Sequence, residues 1–273
     1  MTGHEGGILK NFRTSPIFAS LMQKQLIFTV TSGRSGTKLL AVLLREVLGI
    51  DAEHEPAPRA NFALRRAIDD PFYGLQWLIE EKLPVIAALP CTHYAETSHI
   101  YCKGLIEPLL DIGLRPKFII LRRPADAVAQ SLFKMNVIPG RTDAGRLVLL
   151  SPEDSDTLPL PDWQQFSDYQ LCYWYAREIE RRQALYKDWF SAKKLSCYET
   201  SMSELVIWES FIKLSRFIRD DSPLVENSRQ YFQDIVSINQ HPRHVAHTNH
   251  FKDRILPEDT AQEEHAVDHA CMS

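Results

Sequence analysis

Apolar residues fall along this chain in two ways: as short unbroken runs, and as longer stretches where they return every three or four positions. Residues 26–28, and 118–121 within a strand read over 117–121, are runs of the first kind, hemmed by polar neighbours, as a strand buried on both faces requires. After the first run, Leu40, Leu43, Leu44, Val47 and Leu48 recur at helical spacing, and Gly49 is placed to end that helix. Residues 61–82 carry a mixed helical pattern that Asp70-Pro71 interrupts. Residues 99–104 read as a short buried strand ending in Lys103, and 105–112 as helix. Pro124 can open a further helix. A long helix is predicted over 166–190, a strand over 194–199, and an amphipathic helix over 203–219 with Thr200 or Ser203 as its cap. Residues 1–24 read as a polar lead-in, loop or loop with one short helix, poorly ordered, and 257–273 as a frayed acidic tail. Residues 139–162, rich in Pro, Gly, Asp and Ser, read as a long loop or cap. Strands alternating with helices predict an α/β fold, a single domain over 1–273 with a central parallel sheet flanked by helices.

Composition narrows the class. With 44% hydrophobic and 24% charged residues in 273, the chain is an ordinary soluble globular sequence. A net charge of −4 gives no basic footprint for nucleic acid. No apolar run approaches the ~20 residues of a membrane span, and the first residues lack the basic start and apolar core of a signal peptide. Five scattered cysteines without a CxxC pair fit reduced thiols in a cytoplasmic protein.

The candidate chemistry begins at Ser32-Gly33-Arg34-Ser35-Gly36-Thr37-Lys38, between the first strand and the first clear helix. Strand, glycine loop and helix aim backbone N–H groups and a helix N-terminus at one point, where an anion can sit. Gly33 and Gly36 permit tight dihedrals, Ser35 and Thr37 add hydroxyls, and Arg34 and Lys38 add charge. A nucleoside-triphosphate loop needs Gly-x-x-x-x-Gly-Lys-Ser/Thr. Here Thr37 intervenes before Lys38, Leu39 takes the place of the magnesium hydroxyl, and only two residues separate the glycines. Such enzymes also place an Asp at a strand end to hold the metal, whereas strand 117–121 runs into Arg122-Arg123. A cationic strand end favours a bare anion over Mg²⁺.

Taken together, these segments resemble the sulfotransferases that use 3′-phosphoadenylyl sulfate (PAPS). The 32–37 loop is similar to that family's 5′-phosphosulfate loop. Residues 118–131, a strand followed by Arg-x-Pro and a serine, resemble its 3′-phosphate strand and helix. Tyr198-Glu199 resembles a third, weaker signature. The resemblance implies a P-loop NTPase-like sulfotransferase architecture, PAPS as sulfonate donor, no metal, and a small-molecule, lipid or sugar acceptor carrying a hydroxyl or amine. It implies that residues 33–38 hold the 5′-phosphate and sulfonate, with Arg34 stabilising charge on the bridging oxygen and Thr37 bonding the phosphate. Lys38 departs from the Thr or Ser common there. Arg122 or Arg123 would bind the 3′-phosphate with Ser131, and Tyr198 would lie near the adenine. For the base, Glu55 is favoured, His54 is second, and Lys103 is a third candidate; Glu53 and Glu55 fit surface charges as well. Arg243 or Lys252 would close over the 3′-phosphate.

His241, His244, His247 and His250 invite a metal reading that Pro242 and the missing carboxylates weigh against. Residues 57–95 and 139–162, with Phe72, Trp77, Trp163 and Tyr169, are expected to line the acceptor pocket. Two other readings keep the loop: a nucleotide-dependent phosphotransferase, and a non-catalytic adenine-nucleotide-binding protein.

Overall fold

The computed structural model describes residues 3–220, 222–224, 226–240 and 254–272. His241, His244, His247, His250, Arg243 and Lys252 lie outside the described residues. Five strands form one all-parallel sheet: β1 Gln25–Val30, β2 Asp51–Glu53, β3 His93–Glu96, β4 Lys117–Arg122 and β5 Cys197–Ser201, in the order β2-β3-β1-β4-β5. In β1 and β4, Leu26, Phe28, Val30, Phe118 and Ile120 face one core, while Ile27, Ile119 and Leu121 face the other. Helices Ile106–Ile112, Ala125–Lys134 and Asp168–Ala192 cover the first core, where Phe118 stacks on Phe190 with ring centres 4.1 Å apart. Helices Thr37–Glu46, Trp208–Arg219 and Ser228–Gln240 cover the second. Burial on both faces is why these two strands read as unbroken apolar runs.

Several expectations need correction. Residues 99–104 are not a strand: the strand is His93–Glu96, and Tyr101–Lys103 form a 3₁₀ turn. Pairing stops where Thr97 N–H reaches Glu53 O (2.9 Å), so the apolar run that follows reports burial rather than a ladder. The lead-in is helical, Gly3–Arg13 and Pro16–Leu21, with Leu9, Phe12 and Leu21 buried and Ser15 capping Phe18 N–H at 3.2 Å. The tail read as frayed forms the helix Thr260–Met272. It buries Val267 in the first core and is tied to the long helix by polar groups: Tyr169 OH donates to Glu264 (2.6 Å) and Arg177 to Asp268 (2.9 Å). Residues 139–162 contain the helix Asp143–Val148 and bury Leu149, Leu150 and Leu160, and Arg65 pins Asp154 at 2.9 Å. Helix Trp208–Arg219 starts after Ile207 with no side-chain cap, so neither Thr200 nor Ser203 serves.

From β1 the chain crosses outward to β2 and returns to β3; from β4 it leaves the other way, to β5. Since β1 and β4 are neighbours, the topological switch point lies between their carboxyl ends, where open α/β sheets bind ligands.

Candidate functional site

The loop after β1 is held open by its dihedrals and anchored from below. Gly33 (φ 76°), Arg34 (φ 55°) and Gly36 (φ 95°) all have positive φ. A side chain at Gly33 would also crowd the His99 ring, 3.1 Å from the place of a Cβ. Thr31 Oγ1 lies 2.5 Å from Ser35 Oγ and donates to Leu121 O at 2.9 Å. Two residues of the long helix complete the anchor: Tyr175 OH donates to Ser32 O (2.8 Å), and Gln183 Nε2 joins Val30 O and Leu121 O, each at 3.1 Å. Gln183 thus ties the ends of β1 and β4 together at the switch point.

Gly36 caps helix Thr37–Glu46 without any side-chain bond. Leu40 is the first residue to bond back, to Gly36 O at 2.9 Å; among the described residues no N–H from Gly33 to Leu39 donates to another group. Unfilled donors at a helix N-terminus form an anion site.

Above the loop lies a cavity of about 700 Å³, lined by residues that follow every strand. Gly33, Arg34, Gly36, Thr37 and Lys38 come after β1, His54, Glu55 and Arg59 after β2, His99 after β3, Arg123 after β4 and Met202 after β5. Leu132, Met135, Val137, Val148 and Leu149 supply an apolar wall. Among the described residues, none of Arg34, Lys38, Arg59 and Arg123 has a carboxylate within 4.0 Å, and Glu55 is the one carboxylate in the lining. Arg34 Nε donates to Ser131 Oγ (3.0 Å), and Arg123 donates to Arg34 O. Burial lowers the pKa of both arginines; Glu55 opposes this at Arg34, while at Arg123 the neighbouring Arg34 adds to it. Like charges held together in a partly desolvated cleft are an arrangement that a bound anion relieves.

The sequence candidates separate here. Arg122 does not reach the cavity: its Nε donates to Glu199 at 2.5 Å and its Nη1 to Gln183 at 3.3 Å. Tyr198 is likewise away from the cavity, tilted against Phe217 in the second core. Ser35 turns its hydroxyl inward to Thr31. The expected aromatic contacts lie elsewhere too: Trp77 and Tyr169 are buried in the first core, and Phe72 and Trp163 pack against it.

His54 and Glu55 bring acid–base groups to the cavity. His54 Nδ1 donates to Thr97 O at 2.8 Å, and its Nε2 stands 4.0 Å from Glu55 Oε1. His99, which the sequence reading missed, places Nε2 3.4 Å from the same oxygen. Lys103 lies behind it, 1% exposed, donating to His99 Nδ1 (2.7 Å) and Val148 O (2.6 Å). Burial pulls Lys103 down to about 7. Burial, with Lys103, His54 and Arg34, holds His99 well below the usual imidazole range, so its ring is neutral. The spacing His99-x-x-x-Lys103 around one turn was the available signal.

The segment carrying Glu55 is braced from the core. Lys82 Nζ, 1% exposed, donates to Pro56 O (3.1 Å) and Pro58 O (3.2 Å) and pairs with Glu96 at 2.8 Å. Tyr94 and Tyr101 hydroxyls complete the Glu96 shell at 3.1 Å each. Glu96, at the carboxyl end of the strand beside β1, is thereby sealed away from the loop. Glu55 itself has φ 50°. Of the described non-glycine residues with positive φ, five are Asn or Asp, which tolerate that region, and Lys194 follows a helix end. Arg34 and Glu55 have no such excuse, and strain of about 1–3 kcal/mol each persists only where surrounding structure imposes it.

Among the described residues no three His, Cys, Asp or Glu side chains are grouped to hold a metal ion, and no helix is long and apolar enough to cross a membrane. No protein-family model matches the chain, and no curated protein matches it.

Proposed function

We propose that the chain is a PAPS-dependent sulfotransferase of P-loop NTPase-like architecture. One observation carries this reading: among the described residues, at the β1/β4 switch point, backbone N–H groups with no acceptor and Arg34, Lys38 and Arg123, none in an ion pair, converge on a cavity whose one lining carboxylate is Glu55. Such a site favours a ligand with several negative charges and offers one base. The 33–38 loop grips the 5′-phosphosulfate, and Arg123, rather than Arg122, takes the 3′-phosphate. An acceptor bearing a hydroxyl or amine lies along the wall formed by Val137, Val148 and Leu149, beside Glu55.

Its nucleophilic atom attacks sulfur in line while the bond from sulfur to the 5′-phosphate oxygen breaks. Glu55 takes the proton, and adenosine 3′,5′-bisphosphate leaves with the electron pair. Arg34 faces the charge that grows on the bridging oxygen, where fixed donors contribute most. No step requires a metal. Glu96 is sealed, and the exposed Glu53 that ends β2 does not line the cavity; both favour this over a magnesium-dependent phosphotransferase, which needs an open carboxylate at a strand end by the phosphates. Incubation with PAPS labelled in the sulfonate and a panel of lipid, phenol, sugar and amine acceptors tests the reading. Label is expected to move to at least one acceptor class with EDTA present; transfer from γ-labelled ATP instead would replace the reading with a phosphotransferase.

A further inference from the structure

The groups behind Glu55 form a line of donors with one direction. As an ammonium Lys103 has no lone pair and can only donate, so at 2.7 Å it makes His99 Nδ1 the acceptor. In a neutral ring the proton then sits on Nε2, which faces Glu55 Oε1 at 3.4 Å. We propose that His99 and Lys103 are positioning residues for Glu55: Lys103 fixes the His99 tautomer, and His99 Nε2–H holds Glu55 Oε1 so that Oε2 is presented to the acceptor. The proposal rests on the reading of Glu55 as the base.

The surroundings keep this arrangement from reversing. His99 meets Arg34 and the backbone of Gly33 from the β1 loop, and His54 and Glu55 from the segment after β2. Lys103 meets Val148 O, the face of Tyr175 at 5.0 Å, Cys102, and the charges of Arg65 and Arg182. The cations around His99 oppose a second proton on it, while Glu55 is the one anion its Nε2–H can serve. A carboxylate steadied through one oxygen loses rotational freedom, which fixes where its other oxygen points. A separation of 3.4 Å is loose, and catalytic hydrogen bonds tighten once substrate is bound.

The test uses the full chain with ¹⁵N-histidine and ¹³C-carboxyl glutamate, read by NMR without any turnover. His99 is expected to show a protonated Nε2 and a bare Nδ1 at neutral pH. In His99→Phe and Lys103→Met, the Glu55 carboxyl ¹³C resonance at neutral pH is expected to move away from its wild-type position, and His99→Gln, which keeps a donor, is expected to restore most of it. His99→Gln and Lys103→Met decide the matter if His99→Phe does not fold. In turnover, kcat falls in His99→Phe and Lys103→Met and recovers in His99→Gln, while KM for PAPS stays put. A proton on Nδ1, a doubly protonated ring, or an unmoved Glu55 carboxyl resonance overturns the pairing. Absence of sulfonate transfer by the wild-type chain overturns the proposed function instead, and leaves the NMR result to decide the pairing.

Discussion

Along the long helix the arginines are saturated: Arg177 pairs with Glu180 (2.7 Å) and Asp268 (2.9 Å), and Arg181 and Arg182 share the buried Glu178 at 2.8 and 2.5 Å. Around the β1/β4 switch point, Arg34, Lys38 and Arg123 line the cavity, and among the described residues none of the three has a carboxylate within 4.0 Å. The first set satisfies its charges internally and holds helices together. The second leaves positive charge uncompensated in a concave site, which costs stability in the free protein and favours an anionic ligand. Arg122 and Arg123, adjacent in sequence, fall on opposite sides of this division, one against Glu199 and the other on the cavity.

The sharpest break in that contrast is at Glu55, the cavity's single carboxylate. Glu55→Gln is expected to lower kcat by about 10²–10⁴ while calorimetric affinity for adenosine 3′,5′-bisphosphate stays within about twofold; full activity would remove Glu55 as the base. Next comes Arg34→Ala, expected to reduce kcat by about 10²–10³. Its counterpart on the helix, Arg182→Met, should leave kcat per folded molecule unchanged and lower stability by about 1.5–3 kcal/mol in urea titrations. If the two variants behaved alike, the division between the two sets would fail.

Beneath the cavity, Lys82→Met strands Glu96 without its cation and is expected to cost about 3–5 kcal/mol. The Lys82→Met/Glu96→Gln double variant should recover part of that, read by the same titrations. Lys103 gives a pH test. Its folded-state pKa is lowered to about 7, whereas an unfolded lysine titrates near 10.4. Between those values the unfolded chain binds a proton that the folded chain does not. The stability of wild type relative to Lys103→Met should therefore rise with pH from about 7 to about 10, by at most about 1.4 kcal/mol per unit. A flat difference would mean that Lys103 stays charged in the fold. The smallest effects belong to the neighbouring arginines: Arg123→Gln should weaken bisphosphate binding about tenfold, or 1.4 kcal/mol, and Arg122→Gln should leave binding alone and cost under about 1 kcal/mol of stability.

The central fold was legible where both faces of a strand are buried, as in β1 and β4, and the 33–38 loop was legible because glycine spacing and flanking periodicity are local. What was missed depends on contacts distant in sequence. The three residues of β2 carry too little pattern to declare a strand. The tail helix docks through Glu263, Glu264 and Asp268, which read from sequence only as acidic surface. Gln183 looks like any polar helix residue until its amide is found across the ends of β1 and β4. His99 was read as the first residue of a strand, so its ring was never considered against Glu55. The choice between Arg122 and Arg123 turned on Glu199, 77 residues away, and no spacing rule within the motif could make it.

Calorimetry of the full chain with adenosine 3′,5′-bisphosphate and with ATP, each with Mg²⁺ and with EDTA, tests the proposal of a metal-free phosphosulfate site most directly. The account predicts that the bisphosphate binds more tightly than ATP, equally with and without Mg²⁺, and that Arg123→Gln weakens it where Arg122→Gln does not. Tighter binding of ATP that requires Mg²⁺ would contradict it.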